Sequence, residues 1–156
     1  MVQLLNIAAA GLALAAPFAA AVGRARVFNN CDTTVYLWSV GASVSNAWGI
    51  DPKTEYSEEF VKDPVTGGKA LKITRVPNGL YNGAPQTIFA YSLDNAQVWY
   101  DLSDTFGDAF AGSKLVEASA NQNCPAIVWD NGVPPAGSQV KTCTADADVT
   151  LTLCAA

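Results

Sequence analysis

From Arg24 onward, no stretch of this chain repeats its apolar residues at the 3.6-residue period of a capped helix. Gly, Pro, Asn and Asp cut the apolar runs short instead, as in PVTGG, VPNGLYNGAP and LDNA. The pieces in between read as strands. The final run, DVTLTLC, alternates strictly: Val149, Leu151 and Leu153 share one side while Thr150 and Thr152 share the other, the pattern of a strand with one buried face. RVFNNCDTTVYLWSV holds two short strands around the turn formers Asn29, Asn30 and Asp32, and YSEEFV, KALKITRV, QTIFAYSL and QVWYDL follow. Seven or so strands at this spacing predict an all-β fold with little helix, an antiparallel β-sandwich. The segment from Ala118 to Ala145, including NGVPPAGSQ, has the weakest strand signal and is expected to be loops held by a disulfide.

The start of the chain is different. MVQLLNIAAAGLALAAPFAAAVG carries no charged side chain, and Leu4 to Ala16 has the length of the apolar centre of a secretory signal peptide. Small residues at Ala19, Ala21 and Gly23 supply a cleavage site after Ala21 or Gly23, whereas Gly11 and Pro17 interrupt any membrane-spanning reading. Residues 1–23 are therefore expected to be removed, leaving 24–156 as one domain, secreted to the medium or cell wall, monomeric and free of the membrane.

All four cysteines, Cys31, Cys124, Cys143 and Cys154, fall in the mature part, and an even count outside the cell implies two disulfides. Three pairings are open. If the first and last strands are neighbours, Cys31 joins Cys154 and Cys124 joins Cys143. With no histidine and no closely spaced cysteine pair, no zinc site, metal or other cofactor is expected, and Ser-His-Asp and Cys-His catalysis are excluded. A net charge of −5 without a basic run makes nucleic acid an unsuitable partner.

Several segments together carry a family resemblance. VFNNCDTTVYLW, TIFAYSLD, WYDLSD and VTLTLC resemble, in order, the first strands, central hairpin and last strand of thaumatin-like proteins. More closely, YLWSVG, NGLYNGAPQTIFAYSLDNAQVWYDLSDTFGDAFAG and NGVPPAGSQVKTC resemble the fungal yeast-phase-specific protein family, of the Blastomyces type, a group of small secreted thaumatin-like proteins. The resemblance implies a thaumatin-like β-sandwich, a fungal source, and a bridge between the first and last cysteines. Larger plant relatives bind or cleave β-1,3-glucans in an acidic cleft. Carried over residue by residue, one cleft acid falls on Asp101 and the cleft glutamate on Ala90. The next aspartate falls on Phe106, with Asp104 or Asp108 a small shift away, and the cleft arginine has approximate counterparts in Lys72 and Arg75.

A glycosidase needs two carboxylates with separate roles, and Ala90 can take neither. In a hairpin turning near Asp94, Val98, Tyr100 and Leu102 share one face and Gln97, Trp99 and Asp101 the other, so Asp94 is a turn residue and Asp104 and Asp108 are read into the following loop. Glu58 and Glu59 read first as the ordinary charges of an exposed strand, although the alternation of Glu58 with Tyr56 and Phe60 leaves an inward orientation open. Among the tryptophans, Trp38 and Trp129 read as core, and Trp48 and Trp99 as exposed. A flat ring beside a carboxylate suits a sugar face, the ring stacking while the acid accepts hydroxyl hydrogens. The expected ligand groove thus comprises Asp101, Trp99, Lys72, Arg75 and Trp48.

The reading that results is a non-enzymatic cell-wall or surface protein binding a polysaccharide such as β-glucan, or a protein partner. Its alternatives are a β-1,3-glucan hydrolase, with catalytic candidates Asp101, Asp104, Asp108 and Glu58, and a host-directed effector or antimicrobial protein.

Overall fold

Alternation along the chain resolves into two facing sheets in the computed structural model, which describes residues 21–156. In chain order the strands are β1 (Arg24–Asn29), β2 (Val35–Val40), β3 (Trp48–Ile50), β4 (Glu55–Glu59), β5 (Lys69–Thr74), β6 (Gln86–Asp94), β7 (Gln97–Thr105), β8 (Leu115–Ser119), β9 (Ile127–Trp129), β10 (Lys141–Thr144) and β11 (Val149–Leu153). One sheet has the order β4-β1-β11-β8-β9 and the other β10-β7-β6-β5-β2-β3. Neighbours are antiparallel except β1 and β11, which run parallel in the register Ala25↔Val149 to Asn29↔Leu153.

The strand faces follow the sequence pattern. Val149, Leu151 and Leu153 are fully buried and meet Val27, Phe89, Tyr100 and Leu102 between the sheets. Each large side chain buried this way contributes about 1.5–3 kcal/mol before the entropy of ordering is subtracted. Asn29, a turn former from the sequence, is also buried, and its amide satisfies the corner: Nδ2 donates to the carbonyls of Thr33 (2.9 Å) and Ile50 (2.8 Å), and Oδ1 accepts from the Cys31 amide. The expected cysteine pairing is the one present. Cys31–Cys154 closes a separation of 123 residues and Cys124–Cys143 one of 19.

Two expectations need correction. All seven expected strands are present among the described residues, but β3, β8, β9 and β10 are additional, so the segment 118–145 is not simply loop. β9 and β10 have three and four residues, too few for alternation to stand out, and they exist because longer strands offer them an edge to pair with. β7 also runs on to Thr105, which places Asp104 in the strand opposite Thr87 rather than in the following loop. The leader reading concerns residues of which 1–20 lie outside the described part.

A four-residue helix, α1 (Gly79–Asn82), lies against the outer face of the six-stranded sheet, where Tyr81 meets Trp38 edge-on at 6.3 Å. Trp38 points to that outer face yet is 1% exposed. The face beyond this cover, toward β7 and β10, is open.

Candidate functional site

The open face is organised by the β6–β7 hairpin. The chain reverses at Asn95 (φ 54°) and Ala96, and the register sets Ala90 against Asp101 and Ser92 against Trp99. With side chains alternating, Phe89, Tyr91, Val98, Tyr100 and Leu102 go into the core, while Ala90, Trp99 and Asp101 face out. The register continues across the sheet, giving one row Val40, Ala70, Ala90, Asp101 over β2, β5, β6 and β7. At the usual strand spacing that row is about 14 Å long.

Two adjacent alanines sink the middle of this row, and the result is a trough of about 420 Å³. Trp99, 44% exposed, walls one side, and Val140, from the segment leading into β10, stands at the Asp101 end. Asp101 also lines a second cavity of about 400 Å³, shared with Asp104, Pro134, Pro135 and Gln139. That cavity exists because β10 pairs with β7 only from Gln97 to Tyr100, which leaves the edge of β7 beyond Tyr100 to be covered by residues 134–140.

The carboxylates divide into separate environments. Partial burial pushes Asp101 up from the usual aspartate range, opposed by the Leu102 amide, and no ion pair reaches it among the described residues. Asp104 accepts a 2.6 Å hydrogen bond from the Thr87 hydroxyl, while its other oxygen is buried without a partner. Burial drives it up to about 7; the Thr87 bond resists, and Asp108 pushes in the same direction as burial. Glu58 is elsewhere, facing inward from β4, where it accepts from the hydroxyls of Tyr91 (2.5 Å) and Tyr56 (2.7 Å) and meets Lys69 Nζ at 3.4 Å. Burial works against its charge, but those partners outweigh it and hold Glu58 below the usual glutamate range.

Of the residues singled out in the sequence, Trp99 and Asp101 share the trough, and Asp104 shares the adjoining cavity. Asp108 lies beside Asp104. Lys72 is on the same outer face, between Trp38 and Ile88, but does not line the trough. The Arg75 guanidinium lies 5.5 Å from the centroid of the Phe110 ring, and Trp48, 56% exposed, stacks edge-on against Tyr56 at 5.9 Å. The trough's floor, Val40, Ala70 and Ala90, was not foreseen, since it depends on the register of four strands. Glu117 was also missed. It is wholly buried on β8 with both carboxylate oxygens unpartnered, although the spacing Leu115, Glu117 already put it on the core side.

Among the described residues, no group of three or more acidic, histidine or cysteine side chains is placed to hold a metal ion. The trough offers an apolar floor, an aromatic wall and a carboxylate acceptor, which together suit binding.

A two-disulfide β-sandwich with its first and last strands side by side and bridged is a small thaumatin-like fold. The crystal structure of the protein elicitor MoHrip2 from Magnaporthe oryzae shares that fold, with a TM-score of 0.70 and 24% identity over 85% of this chain and 99% of that one. An antigenic thaumatin-like protein of Arthroderma benhamiae is 30% identical over 162 residues, covering 96% of this chain and 81% of the relative. The family model described as Blastomyces yeast-phase-specific protein matches residues 12–155, and the chain belongs to that family.

Proposed function

We propose that this protein is an extracellular, non-enzymatic fungal binding protein whose ligand, a cell-wall polysaccharide, lies across the outer face of the six-stranded sheet. The observation that carries the reading is the trough, where an exposed indole and a carboxylate stand one pleat apart beside a floor of methyl groups. Sugar rings present an apolar C–H face to such a surface and hydroxyl donors at its rim. Two disulfides, the leader-like start and the antigenic relative support a place outside the cell. Sedimentation of the disulfide-intact protein with insoluble β-1,3-glucan, chitin, its deacetylated form and cellulose tests it. Selective pelleting is expected, lost in Trp99→Ala at an unchanged melting temperature; retention of the protein in the supernatant with all four polymers would overturn the reading.

One observation favours hydrolysis as a second reading. Asp101 and Asp104 border one cavity along the edge of β7, Asp101 from the outer face and Asp104 from the core side opposite Thr87, and the burial that pushes Asp104 up to about 7 suits a proton donor. Against it, Ala90 occupies the position of the cleft glutamate and forms the trough floor. Incubation with soluble β-1,3-glucan is expected to release no reducing sugar; release that vanishes in Asp104→Asn would establish the enzyme.

A further inference from the structure

The charge around the trough narrows the kind of polysaccharide it suits. Asp101 stands in the trough with no ion-pair partner among the described residues, and the one cation bordering it, Lys69, directs its ammonium inward to Glu58. Asp104 lies in the adjoining cavity, also without an ion pair, and the chain as a whole carries −5. A neutral ligand settling over this end would strip water from Asp101 and return only neutral hydrogen bonds. A carboxylated ligand would be repelled. A protonated amine would compensate the lost water with a charge-assisted bond, and one pleat along the strand the exposed Trp99 ring adds a face on which a cation is attracted. The floor of Val40, Ala70 and Ala90 asks for an apolar body next to that amine, which the C–H face of a β-linked sugar ring provides.

We infer that the trough takes an amine-bearing β-linked sugar polymer, a chain of glucosamine units, with ring faces on the alanine floor and Trp99 and one ammonium at Asp101. This rests on the reading of the trough as a polysaccharide site. It specifies the substituent on the ring rather than only the presence of a ring.

Three soluble oligomers with the same linkage isolate that substituent: glucosamine, N-acetylglucosamine and glucose trimers in β-1,4 linkage. They are compared by isothermal titration at several pH values from mildly acidic to neutral, a range that spans ionisation of Asp101, whose pKa burial raises, while the sugar amine still carries a proton at its acidic end. The glucosamine trimer is expected to bind about tenfold more tightly than the other two, the difference between a charged and a neutral hydrogen bond. Added salt should reduce that preference. Asp101→Asn should abolish it while leaving the weak binding of the glucose trimer in place, and Trp99→Ala should weaken all three. Equal binding of the three oligomers, or a preference that survives Asp101→Asn, would overturn the inference. If no trimer binds while insoluble glucan still pellets the protein through Trp99, the ligand class is wrong and the polysaccharide reading stands; if the polymers fail as well, both fall.

Discussion

Glu117 and Glu58 are both acids inside the sandwich, with opposite consequences. Glu117 has no partner, so burial first, and the charge of Asp101 second, raise its pKa well above the usual range and keep it neutral. Such a group binds a proton more tightly folded than unfolded, so its contribution is greatest below the unfolded pKa near 4 and is lost as pH rises toward its raised folded value. Glu58 has the reverse sign, since its lowered pKa contributes stability that disappears as pH falls. Glu117→Leu is therefore expected to raise stability by about 1–3 kcal/mol near neutral pH and to flatten the alkaline decline, as read from urea midpoints across the pH range. Tyr91→Phe removes a donor to the Glu58 carboxylate and should cost about 1.5–3 kcal/mol, most visible above the range in which Glu58 protonates. A Glu117→Leu protein less stable than the parent would mean that the buried acid has a partner in solution.

At the level of elements, the hairpin was the most legible part of the chain, because QTIFAYSL and QVWYDL alternate long enough to fix both faces. Trp99 and Asp101 could be set side by side from that alternation alone. The trough could not, since it needs Ala70 and Val40 brought into line from β5 and β2, and no local pattern states the register between separate strands. The short strands β9 and β10 escaped for the same reason. β10 carries Cys143, tied to Cys124 before β9, and leads directly from the Val140 end of the trough. Replacing both cysteines by serine is expected to cost about 3 kcal/mol and to weaken ligand binding at temperatures where the protein remains folded. Undiminished affinity would show that Val140 is held in place without the bridge. Gly23 shows how closely the entry to β1 is fitted: its amide donates to Ala145, its carbonyl accepts from Phe60, and a Cβ there would lie 2.5 Å from the Ala147 carbonyl oxygen. In a chain that begins after Ala21 and so keeps this residue, Gly23→Ala should lower stability by about 1–3 kcal/mol in thermal melts.

For the molecule as a whole, sequence patterning was enough for the two-sheet class, the neighbouring ends were an assumption that the family resemblance supported, and the number of strands and the order in which they join were settled only by tertiary pairing. The long bridge matters most for overall stability. Cys31–Cys154 constrains a 123-residue separation, for which loop-closure entropy gives about 5 kcal/mol, a large part of the 5–15 kcal/mol typical of a domain. Cys31→Ser with Cys154→Ser is thus expected to leave the protein largely unfolded at growth temperature, as circular dichroism would register. The same bridge sets how the molecule responds to force. Because β1 and β11 run parallel, the start of one and the end of the other emerge from opposite poles of the sandwich. Tension applied at Arg24 and Ala156 passes along β1, through the sulfur bridge and out at Cys154, bypassing everything between. Anchored at one pole and pulled at the other, the oxidised protein lengthens only by the little that freeing the already extended β1 allows, and the chain between Cys31 and Cys154 is released only by reduction.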